Sequence, residues 1–266
     1  MGFLKSLISL LTDFGIQDSY VAEMKAVMLS ICPDANLVDI THQIGKFNIR
    51  MGAFTLASAA PYFPPGTIHL AVVDPGVGSN RRPIAIETNR SLYVGPDNGL
   101  LIPAATVEEI RHVYALTNHS LMRNPISSTF HGSDIFSPVA ANLALGLQPR
   151  DVGREIMDYV KLSFAKVKYE HRSFVCEILH IDGFGNIVTN INQRELNKLK
   201  DHARAIVRID GKRFAARIVQ TFSELKKREL GLVVGSHGFI EIVSLEASAA
   251  HKLSARIGDA LRVGGA

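Results

Sequence analysis

The sequence predicts an α/β protein: an N-terminal α/β domain on a largely parallel sheet, followed by a smaller C-terminal antiparallel β-barrel. Three observations carry this. Strand-length apolar runs alternate with helix-patterned runs as far as Arg150, which argues for strands joined by crossover helices. From Ser173 onward the runs become short, β-rich and punctuated by turns, as in small barrels. Within that half, Asp210-Gly211 separates two such runs, a strong hairpin signal because both residues tolerate positive φ.

In chain order, Leu7–Leu11 reads as the first strand. A helical pattern from Ser19 to Ile31 follows, with Ser19 as cap and Pro33 as stop. Leu37–Ile40 is a strand, Ile49–Ala60 a helix, and Thr67–Val73, Ile84–Glu87 and Leu92–Val94 are strands. Ser133–Leu145 is a helix. Beyond a connection near Asp151–Lys168 come strands at Val175–Ile181, Ile187–Ile191, Ala205–Ile209, Phe214–Val219, Leu232–Val234 and Phe239–Val243. Arg194–His202 and Ser223–Glu229 look helical. The expected domains are residues 1–160 and 170–266.

Composition narrows the class. Of 266 residues, 47% are hydrophobic and 20% charged, enough for a packed core and against general disorder. No apolar stretch has the length of a membrane span. Phe3–Leu11 lacks the basic segment and the small-residue cleavage site of a signal peptide, so a cytoplasmic protein without a membrane partner is expected. Cys32 and Cys176 stand far apart without CxxC spacing, which excludes a disulfide scaffold and a cysteine zinc site. The net charge of +4 is spread along the chain. Lys226-Lys227-Arg228 is flanked by Glu224 and Glu229, as on a solvated helix face, so no nucleic-acid partner is expected. P-loop, Rossmann and zincin motifs are absent.

The chemistry concentrates at strand ends. An apolar run ends at Asp74, and Pro75-Gly76-Val77-Gly78 leads to Arg81-Arg82. Pro-Gly suits a type II turn, which would return Arg81 or Arg82 to Asp74. A surface ion pair on a tight turn is the plainer alternative. Thr12-Asp13-Phe14-Gly15 with Asp18, Thr41-His42-Gln43, and Gly95-Pro96-Asp97-Asn98-Gly99 also follow strands, and ligands of open α/β sheets bind beyond such ends. His131 precedes a helix that Ser133 or Asp134 would cap, and the helix dipole there favours a neutral ring. His42 has no glycine turn or second charged group beside it. In the second half, Asp182-Gly183-Phe184-Gly185-Asn186 offers a ring to stack and an amide to pair with a purine edge. A glycine-rich turn with local Asx bonding explains the same residues. Gly235-Ser236-His237-Gly238 is a second loop where backbone could approach a ligand closely.

Taken together and in this order, Thr12–Gly15, Val38–His42, Val73–Gly78 through Arg82, Tyr93–Gly99, Thr129–Gly132 and Asp182–Asn186 resemble the S-adenosylmethionine hydroxide adenosyltransferases, hydrolase relatives of the fluorinase and chlorinase. The resemblance runs from Ile8 to Gly258. It implies cleavage of S-adenosylmethionine to adenosine and methionine; a sulfonium is already a good leaving group, so no metal or cofactor is expected. It also implies a homotrimer whose site lies between one subunit's first domain and its neighbour's second. By the same matching, Asp74, Arg81 and His131 are the water-activating set, with Arg81 chosen as the first of the arginine pair. Asp13 then meets the ribose, Phe184 and Asn186 the adenine, Asp18 and Asp182 the methionine ammonium, and Ser236 its carboxylate. Glu241 is a further purine-side residue. His237 stands where the halogenases carry arginine. A halide-using transferase and a non-catalytic adenosine or S-adenosylmethionine binder are the competing readings, and the acid at position 74 argues against the first.

Overall fold

The computed structural model describes residues 6–196 and 204–265, which divide into two compact units, one up to Leu162 and one from Ser163 onward. The first unit contains β1 (Leu7–Thr12), α1 (Tyr20–Ile31), β2 (Asn36–Thr41), α2 (Ile49–Ala59), β3 (Ile68–Val72), β4 (Pro83–Thr88), β5 (Leu92–Pro96), α3 (Ile102–Val107), β6 (Ile110–Leu116), α4 (Ser137–Ala144) and β7 (Gly153–Glu155). The strands form one sheet in the order β2-β1-β3-β5-β4-β6-β7. The first four are mutually parallel, because α1 and α2 carry the chain back across the sheet between them. Only a three-residue turn joins β4 to β5, too short for a crossover, so that pair is antiparallel, and β6 and β7 extend the antiparallel edge. Ile8, Leu10, Leu70 and Val72 pack under Met24, Met28 of α1 and Val139, Ala140 of α4 in one buried cluster.

Local chemistry explains two departures from expectation. Ser19 does not cap α1; its hydroxyl is turned along the helix to Glu23 instead. The helix expected at Ser133–Leu145 opens as a π turn over Gly132–Phe136 and becomes α-helical only at Ser137. Pro138 has no N–H to give the Asp134 carbonyl, which accepts from Arg123 N at 2.9 Å, so Ser137 N closes back onto Gly132 O. Ser133 and Asp134 therefore lie inside the turn and cap nothing.

The second unit contains β8 (Lys168–Glu170), β9 (Ser173–Ile181), β10 (Ile187–Asn192), α5 (Gln193–Leu196), β11 (Arg204–Ile209), β12 (Lys212–Ile218), β13 (Leu230–Val234), β14 (Phe239–Ser244), α6 (Ala249–Leu253) and β15 (Ala260–Gly265). Seven strands close in the order β10-β14-β13-β12-β11-β15-β9 back to β10, with β8 added on β9. Every pairing is antiparallel except β12 with β13. Alternation fills the interior: Phe174, Cys176 and Ile178 from β9 meet Ala205, Val207 and Ile209 from β11. Asp210 and Gly211 take φ of 48° and 74° in the β11–β12 hairpin. The helix expected at Ser223–Glu229 is a single 3-10 turn, Phe222–Glu224. Its acids act as caps: Glu224 accepts from Thr221 N and Glu229 from Lys226 N. Of the helix expected at Arg194–His202, the stretch beyond Leu196 lies outside the described residues. Among the described residues, no helix is long and apolar enough to cross a membrane.

His69, on β3, is fully buried. It bonds Ser9 Oγ at 2.7 Å, stacks on Tyr93 with centroids 4.8 Å apart, and meets the Phe63 ring edge-on. Burial, and then the charge of Arg90, push its pKa down to about 4. The unfolded chain binds this proton below about pH 6.5 while the native state refuses it, so stability is lost as pH falls from there towards 4. Wild type should therefore lose about 2–3 kcal/mol between pH 7.5 and 4.5 that His69→Phe does not lose. Urea melts of both proteins at the two pH values measure the difference. Equal losses would place the acid sensitivity elsewhere.

Candidate active site

Because β2, β1, β3 and β5 are parallel neighbours, their carboxyl ends share one edge. Asp13, His42, Asp74 and Asp97 all follow strands on that edge, as the polar strand ends led us to expect. Asp74 begins a turn closed by Val77 N on Asp74 O at 3.3 Å. It is not the expected type II turn, because the left-handed glycine is Gly78 (φ 76°), not Gly76. Glycine is required at 78 for a second reason. A Cβ there would lie 2.4 Å from Ser128 O, so the turn presses directly on the segment leading to His131.

The choice between the two arginines resolves here. Arg81 Nε reaches both Asp74 oxygens at 2.9 Å, and its Nη2 also bonds Oδ2. Arg82 turns to Asp97 and Asp158. The Arg81–Asp74 pair is no surface ion pair: the side chains are 10% and 5% exposed. Arg81 Nη2 lies 2.8 Å from His131 Nδ1. A guanidinium only donates, so Nδ1 must accept, and the neutral ring carries its proton on Nε2. Burial and then the Arg81 charge lower the His131 pKa, so neutrality has a cause beyond helix position. Arg81 lies against the Phe136 ring, 5.1 Å from its centroid. Its Nη1 is buried without a hydrogen-bond partner among the described residues.

A cavity of 160 Å³ opens on Asp74 and His131. Phe14, Tyr20 and Phe130, in mutual ring contact at 5.0–5.9 Å, form its apolar wall. Sequence reasoning missed this trio, although Phe14 and Phe130 sit inside motifs singled out for their polar members. Asp13 is buried, accepting from Phe47 N at 2.8 Å, while Lys46 Nζ binds its carbonyl. Asp18 is exposed and joins none of these groups. His42 does have a charged neighbour. Its Nε2 lies 3.0 Å from Asp39 and its Nδ1 2.9 Å from Thr12 Oγ1, so it ties β2 to β1.

The remaining residues fall in the second unit. Asp182 Oδ1 accepts from Phe184 N and Asn186 N, and Asn186 Nδ2 donates to Oδ2 at 2.9 Å, so the local Asx turn is present. That turn projects Phe184, which is 83% exposed. Phe184 and Asn186 share a hollow of 480 Å³ with Phe222 and residues 244–248, whereas Asp182, Ser236 and Glu241 lie outside its wall. Glu241 lies over Gly235, where a Cβ would meet Oε1 at 1.8 Å, and burial together with Asp182 raises its pKa. Ser236 is exposed beside His237, 3.5 Å from its Nδ1. Among the described residues no cluster of histidine, cysteine or acids is arranged to hold a metal.

Comparison with known proteins gives one answer. Residues 8–153 match the model of the SAM hydroxide adenosyltransferase N-terminal domain, and residues 176–262 that of its C-terminal domain. The chain is 39% identical to the (R)-S-adenosyl-L-methionine hydrolase of Salinispora tropica, covering 96% of this chain and 97% of that protein. The Nocardia brasiliensis fluorinase is more distant, 26% identical over 97% of each chain. A crystal structure of an uncharacterized conserved protein from Thermotoga maritima superposes with a TM-score of 0.92 at 36% identity, covering 97% of this chain and 99% of that one. The chain belongs to the SAM hydroxide adenosyltransferase family.

Proposed function

We infer that this chain hydrolyses S-adenosyl-L-methionine to adenosine and L-methionine by attack of water or hydroxide on the ribose C5′. The observation that carries the reading is the buried Asp74–Arg81–His131 chain, whose two ends, Asp74 and His131, line one cavity. A water oxygen bonds C5′ as the C5′–S pair leaves with sulfur, turning the sulfonium into a neutral thioether. That leaving group needs no general acid. The difficulty is a nucleophile aligned at neutral pH. Since Arg81 occupies His131 Nδ1 and Nε2 bears hydrogen, Asp74 is the group left to take the water's proton. Behind Asp74, the buried Arg81 guanidinium supplies positive charge that stabilises hydroxide as it develops. Nothing in this scheme calls for a metal or cofactor. The Asp74 carboxylate disfavours a halide in the same place, which argues against the halogenase reading.

Asp13, Asp18, Asp182, Phe184, Asn186, Ser236 and Glu241 are proposed to bind substrate in the roles the resemblance implies. The first unit's cavity is small beside the about 300–1,000 Å³ usual for ligand sites. That supports a homotrimer in which a neighbour's second domain completes the site and Phe184 covers the nucleoside.

One experiment tests both statements. Size-fractionated protein is incubated with S-adenosylmethionine in ¹⁸O water and chloride buffer. Label in the adenosine 5′-hydroxyl, made by the trimer fraction, is expected. 5′-Chloroadenosine, label in methionine alone, or ligand binding without release of adenosine would each overturn the hydrolase. A fully active monomer fraction would overturn the shared site.

A further inference from the structure

The Asp97–Gly99 segment after β5 carries two polar side chains that the scheme above leaves without a role. Both grip the strand end bearing Asp74 and Arg81. Asn98 Nδ2 donates at 2.8 Å to the carbonyl of Val73, the peptide linking Val73 to Asp74. Asn98 Oδ1 is itself fixed by Leu100 N at 3.1 Å. Asp97 holds the other end of the turn. Its Oδ2 accepts from Arg82 Nε and Nη2 at 3.0 and 2.7 Å, and its backbone N donates to Arg82 O at 2.9 Å. Its Oδ1 accepts from Val160 N at 2.8 Å, and the side chain is 3% exposed. From its other face Arg82 binds Asp158 Oδ1 at 2.9 Å.

The turn is therefore clamped immediately before Asp74 and immediately after Arg81. Between the clamps, residues 78–80 are exposed and held by local bonds such as Ser79 N to Gly76 O. The carboxylate and the guanidinium bond each other directly, and one adjacent loop anchors the backbone on either side of that pair.

We propose that Asn98 and Asp97 are positioning residues for hydrolysis, fixing Asp74 and Arg81 in the geometry that activates water; this rests on the reaction proposed above. Displacing a reacting group by about 1 Å can cost about 10²-fold in rate without weakening substrate binding. Neither side chain lines the cavity, so the pair acts on kcat through the two catalytic groups.

Asn98→Asp is nearly isosteric and, ionised, has no N–H for Val73 O. It should lower kcat by about 10–10²-fold and leave KM and adenosine Kd within about threefold. In an Asp74→Ala background, measured by single turnover, the same change should alter the rate by less than about twofold, because the group it positions is gone. Asp97→Asn, which keeps an acceptor, should retain more activity than Asp97→Ala. If Asn98→Asp does not fold, Asn98→Ala is read the same way. A wild-type kcat in Asn98→Asp, or a rate loss that simply multiplies that of Asp74→Ala, would overturn the positioning role. Wild-type release of ¹⁸O-labelled adenosine is the reference: without it the hydrolase reading itself fails, and with it only the positioning claim is at stake.

Discussion

Asp74→Ala is expected to lower kcat by about 10²–10⁴-fold while substrate affinity stays within about threefold, and Arg81→Ala should behave alike. The two side chains form one unit: Arg81 spends Nε and Nη2 on a carboxylate that is almost wholly buried. Removing either leaves the other as an unpaired charge in a poorly solvated place, so each variant should also lose stability, by about 3–5 kcal/mol. Asp74→Asn separates the two effects. It keeps the shape and an acceptor for Arg81, and so most of the stability, but cannot take the proton of water and should remain slow. Steady-state kinetics, direct adenosine titration and thermal melts on all three variants are the measurements. Should Asp74→Ala keep a near wild-type kcat, Asp74 is only a turn residue and the mechanism fails.

What the sequence makes legible is the placement of polar residues at strand ends. Apolar runs closing on Asp13, His42, Asp74 and Asp97 are sufficient to predict a common edge, because parallel strands point their carboxyl ends the same way. Asp210-Gly211 is legible for a local reason, since both residues take the positive φ that such a hairpin needs. The less legible features are decided by partners distant in sequence. Gly76 and Gly78 are equally permissive on paper. The approach of Ser128 is what demands glycine at 78. The π turn at Gly132–Phe136 depends on Arg123 claiming the carbonyl that Pro138 cannot serve. The charged residues of Ser223–Glu229 suggest a solvated helix, but the same acids can cap backbone amides, and in the folded chain they do. β6 and β15 show no clear signal for different reasons: β6 opens on two successive exposed residues, Arg111 and His112, which break its alternation, whereas β15 alternates only over Ala260-Leu261-Arg262-Val263 before ending in glycines. In the Asp182–Asn186 segment the plain reading and the functional one coexist. The Asx bonds that make it an ordinary turn also hold Phe184 out in solvent.

His131→Asn is expected to retain much more activity than His131→Phe, which should lose about 10²-fold in kcat by letting the guanidinium move. The argument starts from the direction of one hydrogen bond. Arg81 donates to Nδ1, so the ring serves as an acceptor that steadies the guanidinium, and its remaining hydrogen on Nε2 makes it unfit to receive a proton. An asparagine side chain places its amide oxygen near the position of Nδ1 and can take over that bond. Phenylalanine fills the volume and accepts nothing. If His131 were instead the base that deprotonates water, both variants would be equally slow. The pH dependence gives a second readout. Protonation turns Nδ1 from acceptor to donor facing Arg81, and burial with the neighbouring guanidinium holds this pKa below its ordinary 6.5. The wild-type enzyme should therefore stay active through pH 6.5 and lose kcat only at lower pH, as the imidazolium forms. His131→Asn, with nothing to protonate at that position, should lack this acid limb. A kcat profile for the asparagine variant that falls with the wild-type midpoint would assign the limb to another group, and His131 would then not be the acceptor that steadies Arg81 during the reaction.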